Sequence, residues 1–322
     1  MQHKNIVHHL RRTTKKLLYL LFACMVLLLI TFVYTQPILA PGSKNDDLKS
    51  QSEVPGSSSG ESFGSNEYDN INPMVGEGVK ADSYLIFEES TNKVLASRQP
   101  NTAVAIASIT KLMTALVTEK YGNLEDVWAI NAASTNSYRP TLGLQIGDRV
   151  KVKDLVNAML IGSANDSAAA LGAYTSAIAK ESVIDLMNSE AKSLGMNSTH
   201  YENPIGFDSE QNYSTANDLS LLLNEVLPLP LFTDIARKQS YSFTSVTGKL
   251  YSIKATNVLV AEDSEIYAIK TGFTDEAQGA MITSIHHDDK KFIIIVLSSS
   301  DREGDTRLLK KQVLEQWDAG QE

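Results

Sequence analysis

The chain has 322 residues, 43% of them hydrophobic, a formal net charge of −9 and a single cysteine, Cys24. Five of its 29 Lys and Arg residues (Lys4, Arg11, Arg12, Lys15, Lys16) fall before residue 35 in a segment without acids, leaving 24 basic against 38 acidic residues and a body near −14. Such a body lacks the basic face of a nucleic-acid binder, and it has no disulfide, no thiolate nucleophile and no cysteine metal site.

Leu17 to Tyr34 is an uncharged apolar run of 18 residues, about the minimum that spans a hydrocarbon core. Its basic upstream flank predicts residues 1–16 in the cytoplasm and the body outside. The competing reading is a cleaved signal peptide. Ile38-Leu39-Ala40 matches a small-x-small cleavage site poorly and the run is long for such a segment, so an uncleaved anchor is expected. Residues 35–75 are rich in Ser, Gly, Asn, Asp and Glu and cannot bury enough apolar surface to order themselves. They read as a tether to a folded domain over 76–322.

In that domain, Ser83 to Glu88 and Lys93 to Ser97 predict a pair of strands. A helix is expected to start near Ser108, because Ile109, Leu112, Met113 and Leu116 recur at helical spacing. Further helices are predicted over 153–160, 167–179, 181–194 (with Gly195 as its C-cap) and 219–226. After Pro230 the signal returns to strands, over 266–272, 280–285 and 292–297, the last two joined by a turn at 286–290. An amphipathic helix over 306–317 closes the chain. Strands at both ends enclosing a helical middle predict an α+β domain with a mostly antiparallel sheet and a helical insertion.

Three short motifs carry chemistry. Ser108 and Lys111 are three apart, so they share a helix face. A buried amine can take a serine proton, and the free N–H groups of a helix start favour negative charge there. Ser163-x-Asn165 falls between two helices, where a hydroxyl and an amide can face a cleft or simply cap a helix. Lys270-Thr271-Gly272 ends an apolar strand, giving a cation, a hydroxyl and an open backbone edge. Each is weak alone: Ser189-x-x-Lys192 repeats the first pattern on a polar stretch, and Ser43-x-Asn45 and Ser134-x-Asn136 repeat the second. In this order and context, however, the three match the motif set of penicillin-binding proteins and β-lactamases.

The surrounding sequence resembles the low-molecular-mass D-alanyl-D-alanine carboxypeptidases over about residues 80–300. The resemblance runs through 107–116, 165–171, Met187-Asn188, Leu194-Gly195-Met196, Asn203-Pro204-Ile205-Gly206-Phe207, 213–219, Thr256-Asn257 and Lys270-Thr271-Gly272-Phe273-Thr274. It implies a peptidoglycan stem peptide ending in D-Ala-D-Ala as substrate, with β-lactams as covalent inhibitors. It implies Ser108 as nucleophile, Lys111 as base, and Ser163 and Asn165 as proton relay and acyl-chain holders. Lys270, Thr271 and Gly272 would bind the terminal carboxylate, and the backbone N–H groups of Ser108 and Phe273 would form the oxyanion hole. No metal or cofactor is implied, and the six histidines show no ligand spacing; His286 and His287 read as turn residues.

Three departures qualify the resemblance. Ala164 stands where the family's second motif usually has glycine, and Ala268-Ile269 precedes Lys270 where a glycine is common. Many relatives also continue into a β-rich domain and a membrane-binding helix, whereas here the N-terminal run is expected to supply the attachment. The same motifs serve DD-endopeptidases and β-lactamases, and a non-catalytic penicillin or peptidoglycan sensor would keep them too. Intact Ser108, Lys111 and Lys270, the lack of a match to the β-lactamase glutamate loop, and a cytoplasmic segment too short to signal favour the carboxypeptidase, located in a bacterial cell membrane.

Overall fold

The computed structural model describes residues 75–135 and 138–320. The expected basic tail, anchor and tether up to residue 74 lie outside the described residues. Among the described residues no helix is long and apolar enough to cross a membrane.

The chain opens with β1 (Ser83–Glu88), β2 (Val94–Arg98) and the two-residue β3 (Val104–Ala105). A 3₁₀ turn over Ala107–Thr110 then runs directly into α1 (Lys111–Tyr121). The α-helix therefore begins three residues later than the periodicity predicts. Next come β4 (Val127–Ala129), α2 (Ala132–Thr135), β5 (Arg149–Lys151), α3 (Val152–Ile161), α4 (Asn165–Ala179) and α5 (Val183–Ser193). They are followed by β6 (Tyr213–Ser214), α6 (Ala216–Val226), α7 (Pro230–Ile235), β7 (Ser240–Thr244), β8 (Leu250–Lys254) and α8 (Leu259–Glu262). The chain closes with β9 (Ile266–Thr274), β10 (Gln278–His287), β11 (Lys290–Ser299) and α9 (Arg302–Ala319). His286 and His287 end β10 rather than sitting in the turn, and His286 stacks on Tyr267 with ring centroids 3.6 Å apart.

Five strands form one antiparallel sheet in the order β2-β1-β11-β10-β9. Successive strand side chains point to opposite faces, and here both faces are covered. Leu85, Phe87, Ile282, Ile293 and Ile295 join the core shared with the helical half. Tyr84, Ile86, Ile294 and Val296 point the other way, onto Leu309, Val313 and Leu314 of α9. Burial on both faces explains why β11 reads as a continuous apolar run, Phe292 to Leu297, instead of alternating. In the helical half, Leu112 and Met113 of α1, Leu155 and Met159 of α3 and Ala168 and Leu171 of α4 form one buried cluster. The cleft lies where the start of α1, the start of α4 and the late half of β9 meet.

Candidate active site

Ser108 is held by strained backbone. Ala107, just before it, has φ +46°, a left-handed conformation that costs an L-residue about 1–2 kcal/mol. In the 3₁₀ turn, side chains three apart eclipse one another, which stacks Lys111 on Ser108. The half-buried serine accepts or donates at 2.6 Å from Lys111 Nζ. Lys111 is fully buried. Its Nζ also meets Asn165 Oδ1 at 2.8 Å and the Ile205 carbonyl at 2.6 Å. Asn165 Nδ2 donates to Tyr138 O at 2.8 Å, which fixes the amide orientation so that its oxygen faces the lysine.

Burial holds the Lys111 amine well below the ordinary lysine range, and the nearby Lys270 cation adds to this. A neutral amine has two N–H donors and one lone pair. Asn165 Oδ1 and Ile205 O can only accept, so they take both donors. The lone pair is then left for the Ser108 hydroxyl.

The second motif turns sharply into α4. Ser163 has φ +56°, and its Oγ accepts from Lys270 Nζ at 2.9 Å. Ala164 precedes α4 with φ −60° and ψ 115° and no exposure, an ordinary extended conformation that demands no glycine. Asp166, next to Asn165, accepts the backbone N–H groups of Leu142, Gly143 and Leu144 at 2.8–3.0 Å. It ties the loop that supplies Tyr138 O to the start of α4.

On β9, Lys270 Nζ also donates to the Thr271 carbonyl at 2.7 Å. Burial, with the Arg302 guanidinium nearby, lowers its pKa to about 7. Thr271 Oγ1 lies 2.6 Å from Thr256 Oγ1. Gly272 is needed for close approach: a Cβ there would lie 3.0 Å from both the Ser108 nitrogen and the Ala107 Cβ. Arg302 Nη1, at the start of α9, donates to Gly272 O at 2.6 Å. Phe273 is 62% exposed, and Ala268, where a glycine is common, donates its N–H to Ala236 O at 2.8 Å.

Ser108, Lys111, Ser163, Asn165, Lys270, Thr271 and Gly272 thus converge, with Phe273 following on β9. The second Ser-x-x-Lys, Ser189 and Lys192, lies exposed on α5. Sequence reasoning assigned nothing to Thr256, Arg302 or the Ile205 carbonyl. The last is a main-chain atom with no residue signature, and the other two are remote in sequence from the partners that reveal them.

An α+β fold in which a buried lysine bonds the serine three residues before it, with a Lys-Thr-Gly strand alongside, defines the class of serine–lysine acyl-transferring proteins. Residues 71–301 match the D-alanyl-D-alanine carboxypeptidase family, and the chain belongs to it. It is 27% identical over 226 residues to a D-alanyl-D-alanine carboxypeptidase of Bacillus subtilis, covering 69% of this chain and 58% of that protein. It is 33% identical over 220 residues to a D-alanyl-D-alanine endopeptidase of Pseudomonas aeruginosa, covering 66% of this chain and 70% of that protein. Its fold is similar to the crystal structure of the Streptomyces K15 DD-transpeptidase, with TM-score 0.68 and 26% identity, covering 74% of this chain and 98% of that one.

Proposed function

We propose that the chain is a serine-type D-Ala-D-Ala carboxypeptidase that removes the terminal D-alanine of peptidoglycan stem peptides through an ester on Ser108. The observation that carries this is the buried Lys111 amine 2.6 Å from Ser108 Oγ, with both of its N–H donors engaged elsewhere.

The substrate's terminal carboxylate pairs with protonated Lys270 and the Thr271 hydroxyl, a charge-assisted pairing that also fixes orientation. Ser108 Oγ attacks the penultimate D-Ala carbonyl carbon while Lys111 takes the hydroxyl proton. The oxyanion forms against the backbone N–H groups of Ser108 and Phe273, whose loss typically costs about 2.7–4 kcal/mol of barrier. Ser163 relays the proton taken by Lys111 to the leaving amine, which returns Lys111 to its neutral form; the C–N bond breaks, free D-Ala departs and the acyl chain remains on Ser108, steadied by Asn165. Water then attacks the ester while Lys111 takes its proton, the Oγ–acyl bond breaks, and Lys111 returns that proton to Ser108 Oγ, restoring both groups. A β-lactam presents a carboxylate and a strained amide to the same groups, and its ring-opened ester stays on Ser108.

The test is D-Ala release by the full-length chain from diacetylated L-Lys-D-Ala-D-Ala. Release that penicillin blocks, absent in Ser108→Ala, is the expected result. Fluorescent-penicillin labelling should likewise vanish in Ser108→Ala and persist in Ser189→Ala; labelling that survives Ser108→Ala overturns the assignment. The Pseudomonas relative's name favours a second reading, DD-endopeptidase, on the same groups. Cleavage of a cross-linked dimer without release from the tripeptide would select it.

The same reading includes attachment to a bacterial cell membrane through Leu17–Tyr34, with residues 1–16 cytoplasmic and the catalytic domain outside. What supports it is the uncharged 18-residue run preceded by five basic residues and no acid. The expected result is recovery in the membrane fraction, with the catalytic domain digested by protease added outside intact spheroplasts. Release by high salt would refute the anchor.

A further inference from the structure

Outside the three motifs, the segment Asn203-Pro204-Ile205-Gly206-Phe207 meets the cleft through its main chain. Asn203 Oδ1 gathers the backbone N–H groups of Ile205 at 3.2 Å, Gly206 at 2.7 Å and Phe207 at 3.1 Å. Its Nδ2 donates weakly to Phe207 O at 3.3 Å. One side chain therefore closes the segment into a crook and turns its carbonyls outward. Two consecutive carbonyls of the crook land on the same face of α1: Pro204 O accepts from Thr114 Oγ1 at 2.7 Å, and Ile205 O accepts from Lys111 Nζ at 2.6 Å. The next residue, Gly206, has φ +85° and lies so close to the nucleophile's backbone that a Cβ on it would sit 2.0 Å from Ala107 O.

We infer that Asn203 is a positioning residue for the acyl-transfer chemistry: by fixing the Ile205 carbonyl, it aims the Lys111 lone pair at Ser108. The inference rests on the proposed carboxypeptidase reading and assigns a role to a residue that does not touch substrate. Lys111 needs two acceptors to occupy its two N–H groups. Asn165 supplies one from α4, and Asn203 supplies the other indirectly by holding a main-chain oxygen in place. Without the crook the amine keeps one anchor and rotates about it, so its lone pair faces Ser108 only part of the time.

The charged surroundings set what each substitution does. Lys270 on β9 faces Lys111 and favours its neutral form, and Arg302 stands behind Lys270. On the α4 side, the Asp166 carboxylate is engaged by the N–H groups of Leu142, Gly143, Leu144 and Ser167. Beside the crook, the exposed Glu202 bonds Ser209, and Asp208 is exposed. Asn203→Ala removes all three N–H contacts and lets the Ile205 carbonyl swing away, so the ammonium loses an acceptor and the Lys111 pKa falls further. Asn203→Asp keeps an oxygen for the three N–H groups but places a negative charge one loop away, so the Lys111 pKa rises.

The experiment is the rate of acylation of the full-length chain by fluorescent penicillin between pH 4 and 9, for the unaltered chain and both variants. Asn203→Ala should acylate roughly tenfold to a hundredfold more slowly at its optimum, the cost of a misaligned base. Its acid limb should move to lower pH. Asn203→Asp should keep most of the rate and move the acid limb to higher pH. Opposite displacements support the inference, since a merely structural loss lowers the amount of active protein without moving the limb. Acid limbs that coincide with that of the unaltered chain overturn it. If Asn203→Ala fails to fold, Asn203→Gln, whose longer side chain moves the amide oxygen off the three N–H groups without adding charge, decides: an acid limb moved to lower pH supports the inference and an unmoved one overturns it. Failure of the unaltered chain to acylate removes the carboxypeptidase reading instead, so the two failures are distinct.

Discussion

Asp166 lies 2% exposed beside Asn165 and accepts three N–H groups from the 142–144 segment. An amide in its place turns an NH₂ toward donors, leaving buried N–H groups unpaired. Asp166→Asn should therefore lower the unfolding free energy by about 1–3 kcal/mol. It should also slow acylation, because the same loop carries the Tyr138 carbonyl that orients Asn165. Chemical denaturation and penicillin acylation check the two effects, and a variant as stable as the parent refutes the first. Lys270 yields a pH prediction. Its pKa of about 7 means the free site holds a cation below that pH and a neutral amine above it. The KM for a peptide ending in a carboxylate should rise as pH passes above about 7, while a substrate with an amidated C-terminus should show no such rise. Parallel KM profiles for the two substrates would contradict the carboxylate role.

Elements whose burial leaves a strong period were legible in sequence. β1 was expected over Ser83–Glu88 and is found there, and the α3, α4, α5, β10 and β11 segments differ from expectation only by a few terminal residues. The hairpin β7–β8 leaves little apolar pattern in the sequence, because Ser240–Thr244 and Leu250–Lys254 are short strands with their alternate residues exposed. The apolar period runs three residues ahead of the α1 start because a 3₁₀ turn and an α-helix share nearly the same i, i+3 spacing. The three motifs were legible because they are contiguous. Asn203 was legible only as a string, since its work is done by main-chain atoms. Helix caps lie between these cases: Thr215 precedes α6 and its Oγ1 accepts from Asp218 N at 2.9 Å. Thr215→Ala should cost about 1 kcal/mol of stability and leave the penicillin acylation rate unaltered. A slowed rate in a folded variant would tie the α6 cap to the cleft and refute that separation.

At the scale of the whole molecule, the site places two buried lysines near one another, and among the described residues no carboxylate is a hydrogen-bond partner of either. Both have folded-state pKa values depressed by burial. A lysine at about 7 when folded and 10.5 when exposed binds more protons unfolded than folded throughout that interval, so stability rises with pH across it. The contribution is complete above the unfolded value and is lost as pH falls toward the folded one. Five tyrosines act in the opposite sense at the upper end: Tyr84, Tyr174, Tyr201, Tyr241 and Tyr251 have raised pKa values, chiefly through burial. Their unfolded forms ionise near 10, so stability falls as pH rises beyond that. The lysine effect is therefore readable between about pH 7 and 9.5. Replacing Lys270 by methionine removes the titrating group while filling similar space, so the difference in unfolding free energy between Lys270→Met and the parent should shift steadily in the parent's favour as pH rises across that window. Penicillin acylation, measured alongside, should be impaired in the variant at every pH. Urea unfolding curves that keep a constant separation from pH 7 to 9.5 would mean that Lys270 stays protonated in the fold. The cation proposed to receive the substrate carboxylate would then be permanent and independent of pH in this range.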